Sequence, residues 1–271
     1  MPVDPFGRKI DYLRVSVTDK CNYRCTYCMP EEGIALKSHN EILRYESIAL
    51  IANHAGRLGF KKIRITGGEP LIKRDIVTLV DMIRLTGRFE EITMTTNASL
   101  LTEEKAMRLK NAGLNRVNIS LDTLDEQIFK NITRGGNIND VFSGISAAKK
   151  AGLFPIKINM IIFENTKSEE IEKMIIFCQN SGLILQTIKQ FSLYSKKKDS
   201  EALKSYSRPL SCEKCNRLRL TADGYIKPCL FSNKEIKVDL NNIDKSINQA
   251  VNSKPFRGTT CINRVMSQIG G

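Results

Sequence analysis

From residue 11 to about 188 the chain alternates short β-branched runs with longer stretches of helical period, and this alternation limits the fold more than any other feature. Strands are expected at 12–17, 61–66, 91–95, 115–120, 155–161 and 183–188, with helices near 43–58, 74–86, 102–111, 139–151 and 168–181. Gly59, Gly113, Gly152 and Gly182 each follow a periodic apolar face, where a left-handed residue closes a helix. Repeated βα units specify an α/β fold built on a parallel sheet or barrel. Six strands are too few to close an eightfold barrel. In β/α barrels the reacting groups stand at the carboxyl ends of strands. Cys21, Gly67-Gly68, Thr95-Thr96-Asn97 and Ser120-Leu121-Asp122 all fall at such ends.

The loop after the first strand carries Cys21, Cys25 and Cys28 at C-x3-C-x2-C spacing. Three thiolates from one loop can close on one metal centre, and thiolates select iron–sulfur clusters or zinc. A structural zinc site normally takes four protein ligands, and this loop holds no fourth Cys or His, so distant His39 or His54 would have to complete it. A 4Fe-4S cluster on three cysteines leaves one iron open to a reactant. A second triplet, Cys212, Cys215 and Cys229, is again three; Cys261 could make it a four-cysteine zinc site, and that reading stays open. Next to it, Arg217 and Arg219 share one face of a strand, and the planar guanidinium fork binds phosphate oxygens in pairs. Cys178, in an apolar helical stretch, reads as a small buried hydrophobe.

Residues 189–211 break the pattern with Lys196-Lys197-Lys198, several serines and Pro209, as an exposed connector would. The chain therefore divides into 1–188, the connector 189–211, and a β-rich region 212–271. Strands are expected there at 217–221, 225–231 and 235–240, with a hairpin turn at Ala222-Asp223-Gly224 and a helix near 243–252. The net charge of +13 admits a polyanionic partner. No recognisable nucleic-acid module and no Trp accompany it, so nucleic acid is not expected and much of the excess is a solvated surface. No apolar run is long enough to span a bilayer and the N-terminus lacks an apolar leader, which places the chain in the cytoplasm, away from membranes.

Taken together, several stretches resemble the GTP 3′,8-cyclase family of radical S-adenosylmethionine (SAM) enzymes. They are Arg14 within Leu13–Asp19, the first cysteine loop with Asn22, Tyr23 and Tyr27, the run Lys61–Leu71 containing Gly67-Gly68-Glu69-Pro70, Thr95-Thr96-Asn97, and Asn118–Asp122. To these are added Cys212-x2-Cys215-Asn216-Arg217-Leu218-Arg219 with Cys229, and the Gly270-Gly271 terminus. The resemblance implies an open six-unit (β/α) partial barrel with a small C-terminal β-rich extension carrying a second cluster. It implies two 4Fe-4S clusters, one on Cys21, Cys25 and Cys28 and one on Cys212, Cys215 and Cys229, with SAM beside Tyr27, Gly68, Glu69 and Ser120. GTP would be met by Arg14, Lys62, Arg64, Thr95, Lys157, Arg217, Leu218 and Arg219. Arg14, Arg217, Arg219 and an inserted Gly270-Gly271 tail would carry catalysis.

The implied reaction is radical cyclisation of GTP to (8S)-3′,8-cyclo-7,8-dihydroguanosine 5′-triphosphate, the first step of molybdenum cofactor biosynthesis. Its implied partners are a companion cyclic pyranopterin monophosphate synthase and a reductant such as flavodoxin or ferredoxin; a homodimer is left open. Family members usually carry a longer stretch before the second triplet, and an Arg, an acidic residue and a Met where this chain reads Gln186–Phe191. Two alternatives remain: a radical SAM enzyme with an auxiliary cluster acting on a peptide or another nucleotide, and a basic metal protein that binds nucleic acid without catalysis.

Overall fold

The computed structural model describes residues 1–193 and 211–270, so most of the expected connector and Gly271 lie outside the described residues. Six parallel strands, β1 (Tyr12–Ser16), β2 (Lys62–Thr66), β3 (Glu91–Thr96), β4 (Arg116–Ser120), β5 (Lys157–Ile162) and β6 (Ile184–Lys189), pair in sequential order. The crossovers are α1 (Tyr45–Arg57), α2 (Ile76–Leu85), α3 (Glu103–Asn111), α4 (Glu126–Thr133) with α5 (Ile138–Lys150), and α6 (Ser168–Asn180). The expected C-terminal strands do not build a sheet of their own. β7 (Arg217–Leu220) pairs parallel to β1, and β8 (Tyr225–Lys227) and β9 (Ile236–Lys237) follow antiparallel, giving one open sheet in the order β6-β5-β4-β3-β2-β1-β7-β8-β9. Two helices complete the chain, α7 (Ile243–Asn252) and the short α8 (Met266–Ile269).

Strand alternation sorts each strand into two jobs. Leu13, Val15, Ile63, Ile65, Ile92, Met94, Val117, Ile119, Leu218 and Leu220 are buried in the core under the helices, each such side chain contributing about 1.5–3 kcal/mol by leaving water. Their neighbours Arg14, Arg64, Thr95, Ser120 and Arg219 face the opposite way and line a cavity. The register sets Arg14 directly across from both Arg64 and Arg219. Three guanidiniums thus stand in one row over β7, β1 and β2, on strands about 4.8 Å apart.

Helix ends follow the sequence signals. Gly59, Gly113, Gly152 and Gly182 all take positive φ, between 65° and 98°, directly after helices. Thr102 and Asp125 cap α3 and α4, each side chain accepting from a backbone N–H three residues on. Four elements differ from expectation, among them the short α8, whose four residues show no periodic face. The strand expected at 225–231 ends at Lys227, before Pro228, which has no N–H to give to a ladder. The one expected at 235–240 shrinks to Ile236–Lys237. α4 was not expected, because two turns are too short for a periodic face to show. No helix among the described residues is long and apolar enough to cross a membrane.

Candidate active site

The first cysteine loop leaves β1 and is held from two sides. On one side, the end of β2 lies against its root: Gly68 N–H donates to the Thr18 carbonyl and Glu69 N–H to the Lys20 carbonyl, both at 2.8 Å. A Cβ on Gly68 would collide with the Lys20 backbone, so only glycine permits this approach. On the other side, the unexpected α4 grips the loop: Arg24 and Thr26 donate backbone N–H groups to the Thr133 and Ile132 carbonyls, and the Arg134 guanidinium reaches the Arg24 and Met29 carbonyls. Cys28 N–H donates to the Cys25 carbonyl at 3.0 Å, turning the loop so that its thiols face one cavity.

This end of the cavity is acidic. Glu69 accepts from Leu71 N–H, Asn97 N–H and the Thr96 hydroxyl, and burial still lifts it to about 6. Asp122 accepts from the Tyr27 hydroxyl at 2.9 Å and Ile161 N–H at 2.8 Å, and burial lifts it likewise to about 6. Burial also pushes the thiols up, Cys21 to about 11 and Cys28 to about 12, with Cys25 displaced the same way. Burial outweighs the hydrogen bonds that Tyr23, Asn22 and Asn97 offer to Cys21 and Tyr27 to Cys25, so the cation that ionises these sulfurs arrives with the metal centre.

The second triplet is basic. Cys212 and Cys215 lie on a short 3-10 turn leading into β7, and Cys229 follows β8 just after Pro228. Although burial opposes it, the Lys254 ammonium together with the Arg217 N–H and guanidinium brings the Cys215 thiol down to about 7. Cys261 lies outside the cavity lining, fully buried, with its thiol directed at Asn263 Oδ1 (3.2 Å) and the Arg264 carbonyl (3.9 Å). Each triplet therefore offers three thiols to the cavity. Among the described residues no three His, Cys, Asp or Glu side chains converge on a single-ion site, and the three-thiol sets suit a multi-iron centre with an open position.

All six cysteines line one cavity of about 280 Å³. A wider hollow of about 740 Å³ adjoins it along Tyr27, Cys28, Gln190, Phe191 and Met266, which border both. Between the two triplets stand Arg14, Arg64, Arg217 and Arg219. Burial and mutual repulsion hold Arg219 down to about 10 and Arg14 well below its ordinary range. Thr95 Oγ1 and Asn159 Oδ1 are buried at the wall with no hydrogen-bond partner, positions that a polar ligand would satisfy.

Tyr27, Gly68, Glu69, Thr95 and Ser120 border the cavity. Lys62 and Lys157 instead stand at the amino-terminal ends of β2 and β5, outside this lining. There, with Arg64 and Arg116, they form a cationic floor; burial and these neighbours lower Lys157. Leu218 turns its side chain into the core because it alternates with Arg217 and Arg219, leaving at most its backbone for a ligand. Gly270 takes φ 72°, and its carbonyl accepts from the Arg219 guanidinium at 2.6 Å; a Cβ there would collide with Thr66 Oγ1. Four residues of the site escaped the sequence reading: Asp122 as the partner of Tyr27, Asn159, Arg116 and Lys254. Asp122 was legible as a strand-end residue; the other three carry no local pattern.

A model described as the Radical SAM superfamily matches residues 15–178, and one described as Molybdenum Cofactor Synthesis C matches residues 159–257. Solved structures share the fold. Streptococcus suis SuiB bound to S-adenosylmethionine superposes with a TM-score of 0.65 at 16% identity, over 89% of this chain and 68% of that one. The protein anSMEcpe with bound AdoMet gives 0.66 at 17%, over 90% and 81%. Curated proteins called GTP 3′,8-cyclase are far closer in sequence. That of Clostridium botulinum (strain Langeland) is 41% identical over 321 aligned positions, covering 99% of this chain and 100% of the relative. Those of Thermodesulfovibrio yellowstonii and Petrotoga mobilis are 39% and 36% identical, with 99% of this chain covered in each case. The alignments exceed the 271 residues of this chain, so the relatives carry residues that it lacks. With the superfamily model spanning most of the sheet and relatives matched along their whole length, the chain belongs to the GTP 3′,8-cyclase family of radical SAM enzymes.

Proposed function

We propose that this chain cyclises GTP to (8S)-3′,8-cyclo-7,8-dihydroguanosine 5′-triphosphate by radical chemistry, as the first step of molybdenum cofactor biosynthesis. The observation that carries the reading is the single cavity with a cysteine triplet at each end and a row of arginines between them. Cys21, Cys25 and Cys28 would hold one 4Fe-4S cluster, and Cys212, Cys215 and Cys229 the other. When bound, the first cluster and SAM supply a 5′-deoxyadenosyl radical able to take hydrogen from the ribose 3′ carbon.

The chain's own residues do the rest. Gly68 and Glu69 offer backbone close to the first loop, and Tyr27, steadied by Asp122, and Ser120 border the SAM side. Arg14, Arg64, Arg217 and Arg219 give the triphosphate paired hydrogen bonds in a site that screens charge poorly. Lys62 and Lys157 add cations below them, and Thr95 offers its unpartnered hydroxyl. Gly270, fixed by Arg219 and packed on Thr66, two residues that line the cavity, would exclude water there from the reacting ribose.

The test is anaerobic reconstitution with iron and sulfide, followed by incubation with SAM, a reductant and GTP. Formation of 5′-deoxyadenosine together with the cyclised nucleotide is expected. SAM cleavage with no nucleotide product, across GTP, ATP and ITP, would remove the reading and favour a peptide substrate. An acidic one-electron donor of the flavodoxin or ferredoxin class and the cyclic pyranopterin monophosphate synthase are the partners this function requires.

A further inference from the structure

Behind the second triplet runs a segment that the proposed chemistry leaves unused. After α7 the chain turns, and Lys254 N–H donates to the Val251 carbonyl, sending the side chain into the wall between Cys215 and Cys229. Its ammonium donates to the carbonyls of Arg217 and Pro228, each at 2.8 Å, and reaches Cys215 Sγ at 3.4 Å. Arg217 stands two residues after Cys215 and Pro228 directly precedes Cys229, so one cation ties both ligand-bearing stretches together. The following residues continue the wall. Arg8, fixed by Asp4 at 2.6 Å, donates to the carbonyls of Pro255, Phe256 and Cys212. At Gly258, a Cβ would come within 2.5 Å of Cys229 Sγ.

Lys254 is 3% exposed, and among the described residues no carboxylate lies within ion-pair distance of it. Lys227, equally buried, shows the usual arrangement, its ammonium paired with Glu235 at 3.0 Å. A buried ammonium without a counter-charge is strongly unfavourable. The anion that this geometry supplies is the Cys215 sulfur.

We propose that Lys254 is a positioning residue for the iron–sulfur cluster of the second triplet: its ammonium donates to the Cys215 thiolate, balances the cluster's negative charge and raises the cluster's reduction potential. Hydrogen bonds to ligand sulfurs and nearby charge are the protein's levers on such potentials. A cation at a thiolate favours the state that has gained an electron. The inference rests on the second triplet holding a 4Fe-4S cluster, and that reading has its own measurement: about eight irons per parent chain keep it and about four remove it, whatever the Lys254 variants do.

The experiment is an EPR-monitored redox titration of the reconstituted full chain, with dithionite as electron source. The second cluster is identified as the signal lost in Cys229→Ser. In Lys254→Met the ratio of reduced to oxidised second cluster, read at the parent's midpoint, is expected to fall at least tenfold, equivalent to about 59 mV toward more negative potential for one electron. The first cluster's potential stays where it is. Lys254→Arg restores most of the parent value, whereas a residue that merely pins two carbonyls would leave the potential unmoved in every variant. An unchanged second-cluster potential in folded, iron-loaded Lys254→Met overturns the proposal. If that variant does not fold or load iron, the parent protein labelled with nitrogen-15 at lysine decides. Pulsed EPR of its reduced second cluster shows a coupled lysine nitrogen if Lys254 donates to Cys215, and the absence of coupling overturns the proposal equally.

Discussion

The two cysteine triplets present the same three sulfurs to one cavity in opposite electrical surroundings. Around Cys21, Cys25 and Cys28 the charged neighbours are Glu69 and Asp122, and the thiols are pushed up. Around Cys212, Cys215 and Cys229 they are Lys254, Arg217 and Arg219, and Cys215 is drawn down although burial still pushes Cys229 up. The first site relies on the incoming metal for its positive charge. The second brings its own and is thereby also suited to an anionic substrate. An equal number of cysteine ligands is thus compatible with two different jobs, and the neighbours in space decide between them.

The largest expected effect breaks the symmetry outright. Cys21→Ser is expected to abolish reductive SAM cleavage, whereas Cys229→Ser keeps some uncoupled cleavage and loses the cyclised product. Assays for 5′-deoxyadenosine and nucleotide product separate the two, and equal loss of cleavage in both folded variants would refute a division of labour. Next comes the tail, on the basic side. Deleting Gly270 and Gly271 should cut cyclised product about 100-fold, the scale of an ångström-sized misplacement at a reacting centre, with iron content and GTP affinity nearly unchanged. Full turnover would show the tail to be an ordinary chain end.

Arg217→Ala and Arg219→Ala should each weaken GTP binding by about 1.5–3 kcal/mol, the range for hydrogen bonds to charged groups, measured by calorimetry on the reconstituted protein. Unchanged affinity would detach the basic side from the nucleotide. The last test, on stability and not on activity, falls on the acidic side. Burial raises Asp122 from 3.8 to about 6 in the folded chain, so folding favours its protonated form. That contribution to apoprotein stability is complete below about pH 4 and is lost as the pH rises through about 6. Asp122→Asn removes it, a difference of about 3 kcal/mol by pH 7, visible as a flatter melting temperature between pH 4 and 7. Glu69 shares the direction and keeps part of the slope. Identical slopes in parent and variant would show that Asp122 ionises freely.

The sheet was legible because period-two runs and helix-closing glycines are local, and all six parallel strands and the Asp-Gly hairpin stand where those signals put them. The cysteine loops were legible for the same reason. What joins them was not. The pairing of β7 with β1 aligns Arg219 with Arg14 across some two hundred residues of chain, and no window of sequence contains both. α4 falls below the length at which a periodic face can be recognised, yet it fastens the first loop. Lys254 looks like any surface lysine until the fold buries it among carbonyls and a thiol. Residues that act through distant neighbours leave no trace in their own surroundings along the chain.

The parallel pairing of β1 with β7 also governs how the molecule is made. A strand emerging at residues 12–16 pairs on one side with β2, while its other edge waits for residues 217–220. Until about four fifths of the chain has left the ribosome, that edge is a row of open hydrogen-bonding groups beside Leu13 and Val15, a template for pairing with the wrong chain. Closure over some two hundred residues is slow, since the entropy of the intervening loop is lost before the contact forms. Chains truncated before β7 would expose that edge permanently, so aggregation, in place of a soluble half-enzyme, is the expected fate of a premature stop.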